Sequence, residues 1–313
     1  MVNLNLWLIN FCLLVLSRPS DKIFFYIWIK LIMVAKIIDG KCIAEKLLLK
    51  VKEEILDRRN IGIESPVLAV ILIGEDPASE VYVRNKKIAC EKVGIKSISY
   101  NLEAEISQDE LLLLVNKLNA DPKITGILVQ APLPDHISED LIIDAIHPNK
   151  DIDGFHPLNM GLLVNRQPKL RPCTPYGVIK MLKASNIVLK GLDATIVGVS
   201  NHVGRPMALE LLMEGCTTTS CHSRTKNLEK KVNGADLVVV AAGKQNLVKG
   251  EWIKEGAIVV DIGINRVNGK LVGDVEFNVA KLKASYITPV PGGVGPMTVA
   301  TLMENTLLAQ KLV

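Results

Sequence analysis

Several things are missing from this 313-residue chain, and each absence narrows what it can be. It has no C-x-x-C pair, and its six cysteines (Cys12, Cys42, Cys90, Cys173, Cys216, Cys221) are too sparse for a disulfide scaffold of this size. Reduced thiols in a cytosol-like compartment follow. "CTTTSCH" (216–222) has no second cluster to complete a metal site, so it is read as strand, and no metal is expected. There are no basic blocks. The net charge of +4 is spread along the chain, which argues against nucleic acid as a partner and suits a small anionic ligand. No internal repeat or low-complexity tract occurs after residue 34.

The first 33 residues differ from the rest. Two apolar runs, "LNLWLINFCLLVL" (4–16) and "IFFYIWIKLIMV" (23–34), are split by "SRPSDK" and hold Trp7 and Trp28. Each is shorter than the roughly 20 residues a spanning helix needs. A basic leader, a small-residue cleavage site and an arginine-rich transit pattern are all lacking. Met33 stands just before "VAKIIDGK", where globular patterning begins. Translation from an upstream start codon explains the segment. A membrane tether is the alternative, and a cytoplasmic protein is expected.

What is present is alternation. "VLAVILIG" (67–74), "ITGILVQ" (124–130), "ATIVGVS" (194–200), "DLVVVAAG" (236–243) and "AIVVDIG" (257–263) are short apolar strands. Between them lie helical segments at 79–94, 106–120, 138–146 and 174–186. Ser79 and Gly94 are read as caps of the first, Ser107 and Glu110 as a capping box, and Thr174 with Pro175 as the start of the last. Such alternation predicts an α/β fold with parallel sheets covered on both faces. "HPNKDIDGFHPLN" (147–159) breaks the rhythm and marks a hinge. The expected division is a first, smaller α/β domain (34–154) joined by a C-terminal helix (297–313), and a Rossmann-like domain (155–296), with a cleft between them.

The second half carries a nucleotide signal. A strand runs into "GVSNHVGRP" (198–206) and a helix follows, so Gly198, Ser200 and Gly204 stand where a dinucleotide-binding turn needs small residues. An enzyme selecting NAD usually has an acid about 20 residues on. Here that region reads "CHSRT" (221–225), with Ser223 and Arg224 and no carboxylate. Arginine pairs well with a 2′-phosphate, which favours NADP. A solvated loop arginine is the plainer reading.

In the helix 79–94, Tyr82, Lys86, Ala89, Cys90 and Val93 share one side, while Arg84, Lys87 and Glu91 share another. Lys87 therefore reads as a surface lysine. Lys86 sits in an apolar stripe, where a lysine can serve in proton transfer or can merely snorkel to water. Gln130, at the carboxyl edge of its strand, can orient both a lysine and a ligand. "TPVPGGVGPMT" (288–298) packs three prolines and three glycines into a stiff loop before the last helix.

"YVRNK" (82–86), "GILVQAPLP" (126–134), "KDIDGFHP" (150–157), "RPCTPYG" (171–177), "GVSNHVGRP" and "TPVPGGVGPMT" resemble, in order, the signature blocks of the bifunctional methylenetetrahydrofolate dehydrogenase/methenyltetrahydrofolate cyclohydrolase family. The likeness runs from Val34 to the C-terminus, and Ala131 departs from it where many members carry leucine. The resemblance implies an oxidoreductase and hydrolase of one-carbon metabolism. It oxidises 5,10-methylenetetrahydrofolate with NADP⁺ and hydrolyses the methenyl cation to 10-formyltetrahydrofolate. It also implies tetrahydrofolate derivatives as substrates and a homodimer. On the family's layout Lys86 is the main catalytic group of the hydrolysis, held by Tyr82 and Gln130. Asp153 binds the pterin, and Asp151 is a turn residue. Gly198, Val199, Ser200, Ser223, Arg224 and Ile264 contact NADP, and Gly292 and Gly293 line the cleft for cofactor and substrate. Two rivals stand beside it: a non-catalytic folate- or nucleotide-binding regulator, and another NAD(P)-dependent oxidoreductase.

Overall fold

The computed structural model describes residues 34–312, so the expectations for residues 1–33 lie outside the described residues. The chain forms two parallel sheets. The smaller is ordered β3–β2–β4, from β2 (Val67–Ile73), β3 (Lys96–Leu102) and β4 (Gly126–Val129). Successive side chains of a strand point to opposite faces. Leu68 and Val70 of β2 accordingly pack with Val51 and Ile55 of α1 (Gly40–Asn60) and with Ala89, Cys90 and Val93 of α2 (Pro77–Val93). Ala69, Ile71 and Ile73 pack on the other side with Leu111 and Val115 of α3 (Gln108–Ala120) and Ile142 of α4 (Glu139–Ala145). A strand buried on both faces reads as a continuous apolar run.

The larger sheet is ordered β1–β11–β8–β7–β5–β6, all parallel. Its strands are β5 (Asp193–Val197), β6 (Thr217–Cys221), β7 (Leu237–Val240), β8 (Ile258–Asp261), β11 (Tyr286–Ile287) and β1 (Lys36–Ile37). A hairpin of β9 (Asn265–Val267) and β10 (Lys270–Val272) stands outside it. Ile196, Leu237, Val239 and Val260 face α6 (Cys173–Ala184) and α7 (Gly204–Met213), whereas Val197, Val238, Val240 and Val259 face the other side. The chain goes from β5 to β6 on one side and then crosses to β7 on the other, so the sheet has its switch point at β5. The strand reading of 216–222 holds in β6. One boundary differs from the sequence reading: residues 36–37, grouped with the first domain, pair with β11 at the edge of the larger sheet.

Two caps also differ. Asp76, not Ser79, caps α2, its carboxylate accepting the Ser79 N–H at 2.7 Å, and Ser79 lies inside the first turn. Gly94 closes α2 in the left-handed conformation as expected. α6 begins at Cys173 after Pro172, which offers no side-chain cap, so Thr174 lies inside the first turn, where its hydroxyl bonds that of Thr298 at 2.9 Å. The Ser107–Glu110 capping box is present on α3.

The last helix, α10 (Val294–Ala309), is buried nearly all round. Its Met297 and Ala300 join the core of the larger sheet, and its Leu302, Met303 and Leu307 join that of the smaller. A helix apolar on all sides needs partners on all sides. The Pro/Gly loop before it makes this docking possible. Gly292 adopts φ +103°, its carbonyl accepts the Lys41 N–H at 3.1 Å, and the Gly293 carbonyl occupies the space a Cβ on Gly40 would need. The loop therefore sits on the first turn of α1, and the close approach its glycines permit is backbone to backbone.

At the centre of α10, buried Asn305 donates through Nδ2 to the carbonyls of Ile152 and Arg171, each at 2.8 Å. Asn305→Leu removes the Arg171 carbonyl's Asn305 donor and leaves the Ile152 carbonyl the weak Cys173 thiol donor. We predict a loss of about 2–4 kcal/mol in urea unfolding, at the upper range for buried groups left without a partner. A loss below 0.5 kcal/mol would show that the clamp contributes nothing.

Candidate active site

The carboxyl ends of the small sheet's strands open into a cavity of about 180 Å³. Its polar and aromatic lining comes from five places: Lys86 on α2, Gln130 after β4, Glu139 at the start of α4, Asp151, Asp153 and Phe155 in the hinge loop, and His202 in the turn after β5. Both sheets therefore contribute to one cleft.

Lys86 Nζ donates to Gln130 Oε1 at 2.9 Å. The other end of the Gln130 amide donates to the Ala131 carbonyl at 2.6 Å, and its backbone N–H donates to Ile71, so the glutamine is fixed at the strand end. Ala131 thus takes part through its carbonyl, which any residue there would supply. The face assignment along α2 holds. Ala89, Cys90 and Val93 are buried, Lys86 is half-buried beside them, and Lys87 is exposed. Tyr82, on the same side, is 38% exposed, and partial burial raises its phenol above the usual range.

Asp153 opens into the cavity, where burial raises its carboxyl and the charge of Lys86 pulls it back. Asp151 does more than a surface turn residue. It is buried, and its carboxylate accepts from the Gly154 and His156 N–H groups and from Asn159 Nδ2, at 3.1, 2.8 and 2.8 Å. It holds the loop that presents Asp153. Neighbouring Lys150 is also buried and donates to the carbonyls of Leu118, Asn119 and Asp121 at the end of α3, a favourable place for a cation.

The nucleotide turn has the expected form. Gly198 has φ +105°, a Cβ there would lie 2.0 Å from the Ala241 carbonyl oxygen, and one on Gly204 would lie 1.9 Å from that of Gly198. Only glycines fit, and the bare backbone leads into the N-terminus of α7. The Ser200 hydroxyl accepts the Val203 N–H at 3.2 Å and shapes the loop. Val199 is half-buried, Ile264 is 44% exposed, and Ser223 and Arg224 are exposed just beyond β6. A small-residue turn at a ten-residue helix start, with an exposed arginine at the next strand end, fits a phosphorylated dinucleotide. Gly292 and Gly293, expected to line the cleft, also pack on the first turn of α1 as described above.

Sequence reading missed Phe155 and His202, whose rings stack at 4.3 Å across the cleft, and Glu139. Phe155 and His202 stood inside quoted blocks, but nothing in their spacing announced a contact between the two halves. It also missed Asp261 and Asp274. Asp274 accepts from the Ala242 and Gly243 N–H groups and Asn265 Nδ2, and Asp261 accepts from Gly263, Asp274 and Val275. Burial pushes Asp261 up to about 6. These carboxylates tie together the loops at the carboxyl edge of the larger sheet.

Comparison with known proteins agrees on both halves. Residues 38–153 match the family model of the tetrahydrofolate dehydrogenase/cyclohydrolase catalytic domain, and residues 172–313 match that of its NAD(P)-binding domain. The bifunctional protein FolD of Methylobacillus flagellatus is 61% identical over 281 residues, 90% of this chain and 97% of that protein. The crystal structure of the bifunctional FolD methylenetetrahydrofolate dehydrogenase/cyclohydrolase from Campylobacter jejuni superposes with a TM-score of 0.87 at 53% identity, covering 89% of this chain and 99% of that one. The Trypanosoma brucei enzyme, solved with NADP cofactor and an inhibitor, gives 0.85 at 39% identity, covering 89% and 98%.

Gly198→Ala must displace the Ala241 carbonyl and hold alanine at a strained φ. We predict a cost of about 2–4 kcal/mol in urea unfolding, from overpacking and backbone strain together. Unchanged stability would mean that the turn yields and that glycine is not required there.

Proposed function

The chain belongs to the tetrahydrofolate dehydrogenase/cyclohydrolase family, and we propose that one cleft carries both of its reactions. The enzyme oxidises 5,10-methylenetetrahydrofolate with NADP⁺ to the methenyl cation and NADPH. Water then adds to that cation, and ring opening gives 10-formyltetrahydrofolate with release of a proton. The observation that carries the assignment to this cleft is the Lys86–Gln130 hydrogen bond in the cavity that also holds Asp153.

Bound NADP⁺ supplies the hydride acceptor for the first reaction. The chain's own part there is orientation, since effective positioning alone accounts for a large share of such a step. Gly198, Val199 and Ser200 would admit the pyrophosphate, Ile264 would border the cofactor, and Ser223 and Arg224 would meet the 2′-phosphate. Asp153 would accept hydrogen bonds from the amino-pyrimidine edge of the pterin, which presents adjacent N–H donors.

The hydrolysis needs a proton handler. Lys86 would relay a proton from the attacking water to the departing ring nitrogen. Gln130 holds the Lys86 nitrogen in place from one side, and Tyr82 lies one turn earlier on the same side of the helix. The enzyme would act as a cytoplasmic homodimer feeding one-carbon units to purine, methionine and histidine synthesis. Among the described residues no helix is long and apolar enough to cross a membrane. The intact set of Lys86, Tyr82, Gln130 and Asp153 speaks against a regulator that has lost turnover.

Lys86→Met keeps the stem and removes the nitrogen. We expect cyclohydrolase activity to fall ~10²–10⁴-fold, the range for a lost acid–base group, with a smaller fall in dehydrogenase activity. Lys87→Met should change little. If Lys87→Met abolishes the hydrolysis and Lys86→Met spares it, the assignment is wrong.

Arg224→Ala should weaken NADP⁺ about 10-fold or more and NAD⁺ little, since a charge-assisted hydrogen bond contributes ~1.5–3 kcal/mol. Equal KM changes for the two cofactors would show that Arg224 does not read the 2′-phosphate.

A further inference from the structure

The four residues after β6 form an interlocked turn. The His222 N–H donates to Thr225 Oγ1 at 2.8 Å, and the Thr225 N–H donates to the His222 carbonyl at 2.9 Å. Between them, the Arg224 N–H donates to His222 Nδ1 at 3.1 Å. The Gly198 N–H donates to the carbonyl of Cys221 at 2.9 Å, so the turn departs from a point bonded directly to the nucleotide turn. Accepting at Nδ1 places the proton of the neutral ring on Nε2 and fixes the ring against the backbone. His222, Ser223 and Arg224 are all exposed, so this bonding is not there to fill a core.

We propose that His222 is a specificity-determining positioning residue: by holding the Arg224 backbone, it aims the Arg224 guanidinium and the Ser223 hydroxyl at a phosphate on the cofactor's ribose 2′-oxygen. This rests on the reading of Ser223 and Arg224 given above. The physical argument is one of preorganisation. Arg224 forms no ion pair with any described residue, so nothing beyond its own backbone steers a long, mobile side chain. A backbone fixed in advance lowers the ordering cost of each charge-assisted bond to the phosphate. A cofactor with a bare 2′-hydroxyl presents no charge there, so the same device does little for it.

The test compares the full-length protein with His222→Ala, His222→Asn and Arg224→Ala, titrated with 2′,5′-ADP and with 5′-AMP by calorimetry. Asparagine is chosen because its side-chain oxygen can accept an N–H two residues on, as histidine does here. His222→Ala should weaken 2′,5′-ADP by about 3–10-fold, the effect of one hydrogen bond, with 5′-AMP changed less than about 2-fold and the melting temperature unchanged. His222→Asn should restore most of the lost affinity. Equal weakening of both ligands, no weakening of either, or an asparagine variant as weak as alanine would overturn the inference. If Arg224→Ala is selective for 2′,5′-ADP while His222→Ala is not, only the role of His222 falls. If Arg224→Ala leaves 2′,5′-ADP binding unchanged, the 2′-phosphate assignment fails and takes this inference with it.

Discussion

The site depends on where one short loop, residues 150–155, is held. That loop runs between the sheets and presents Asp153 and Phe155 to the cleft. It is fixed from several directions. Lys150 binds it to the end of α3, the Asp151 carboxylate gathers its N–H groups, and Asn305 of α10 grips the Ile152 carbonyl from behind. The Ile127 N–H donates to the Lys150 carbonyl at 2.8 Å, so the loop also leans on β4. A buried lysine and a buried aspartate one residue apart would be costly if unpaired, but each meets several hydrogen-bond partners. The polar groups that would otherwise weaken the core give the loop one position.

A related economy operates at the larger sheet. Asp261 and Asp274 are buried and lie at the carboxyl edge, where the strands end and a ligand would bind. Each is satisfied by N–H donors from the loops around it. Glycines make room for them, since a Cβ at Gly263 or Gly273 would strike the carboxylates. On the hinge side, Arg171 pairs with fully buried Glu210 of α7 and lies 3.7 Å over the Tyr176 ring. The helix that begins at the nucleotide turn is thereby tied to the segment leading out of the hinge. The two halves are joined by the apolar helix α10, whose side chains enter both cores.

Much of this was legible in the sequence, for physical reasons. Strands buried on both faces must be apolar throughout, so β2, β5, β7 and β8 declared themselves. The stripe on α2 separated Lys86 from Lys87, because three and four residues bring side chains to one face. Gly198 and Gly204 stood where backbone crowding leaves no alternative. Legibility failed where a residue's partner is distant in sequence. Asp151 looked like a surface turn because the donor from Asn159 and the burial around it belong to the fold. Phe155 and His202 are 47 positions apart by their numbering, and their stack exists only once the sheets are placed together. Strand β1 has two residues, too few to show a period, and its place beside β11 is decided by pairing. The capping errors at Ser79 and Thr174 have separate causes: Asp76 stands three residues earlier and takes the Ser79 N–H, whereas α6 starts sooner than expected, after Pro172, which offers no side-chain acceptor.

The central claim is that one cleft serves both reactions. It is tested most directly by inhibiting both activities of a single preparation with one non-reacting reduced folate, 5-formyltetrahydrofolate. NADP⁺ should be present at the same concentration in each assay. Competition for a shared cleft predicts the same inhibition constant, within error, against 5,10-methylenetetrahydrofolate oxidation and against methenyl hydrolysis. Inhibition of one activity with the other untouched would contradict the account and require a second folate site.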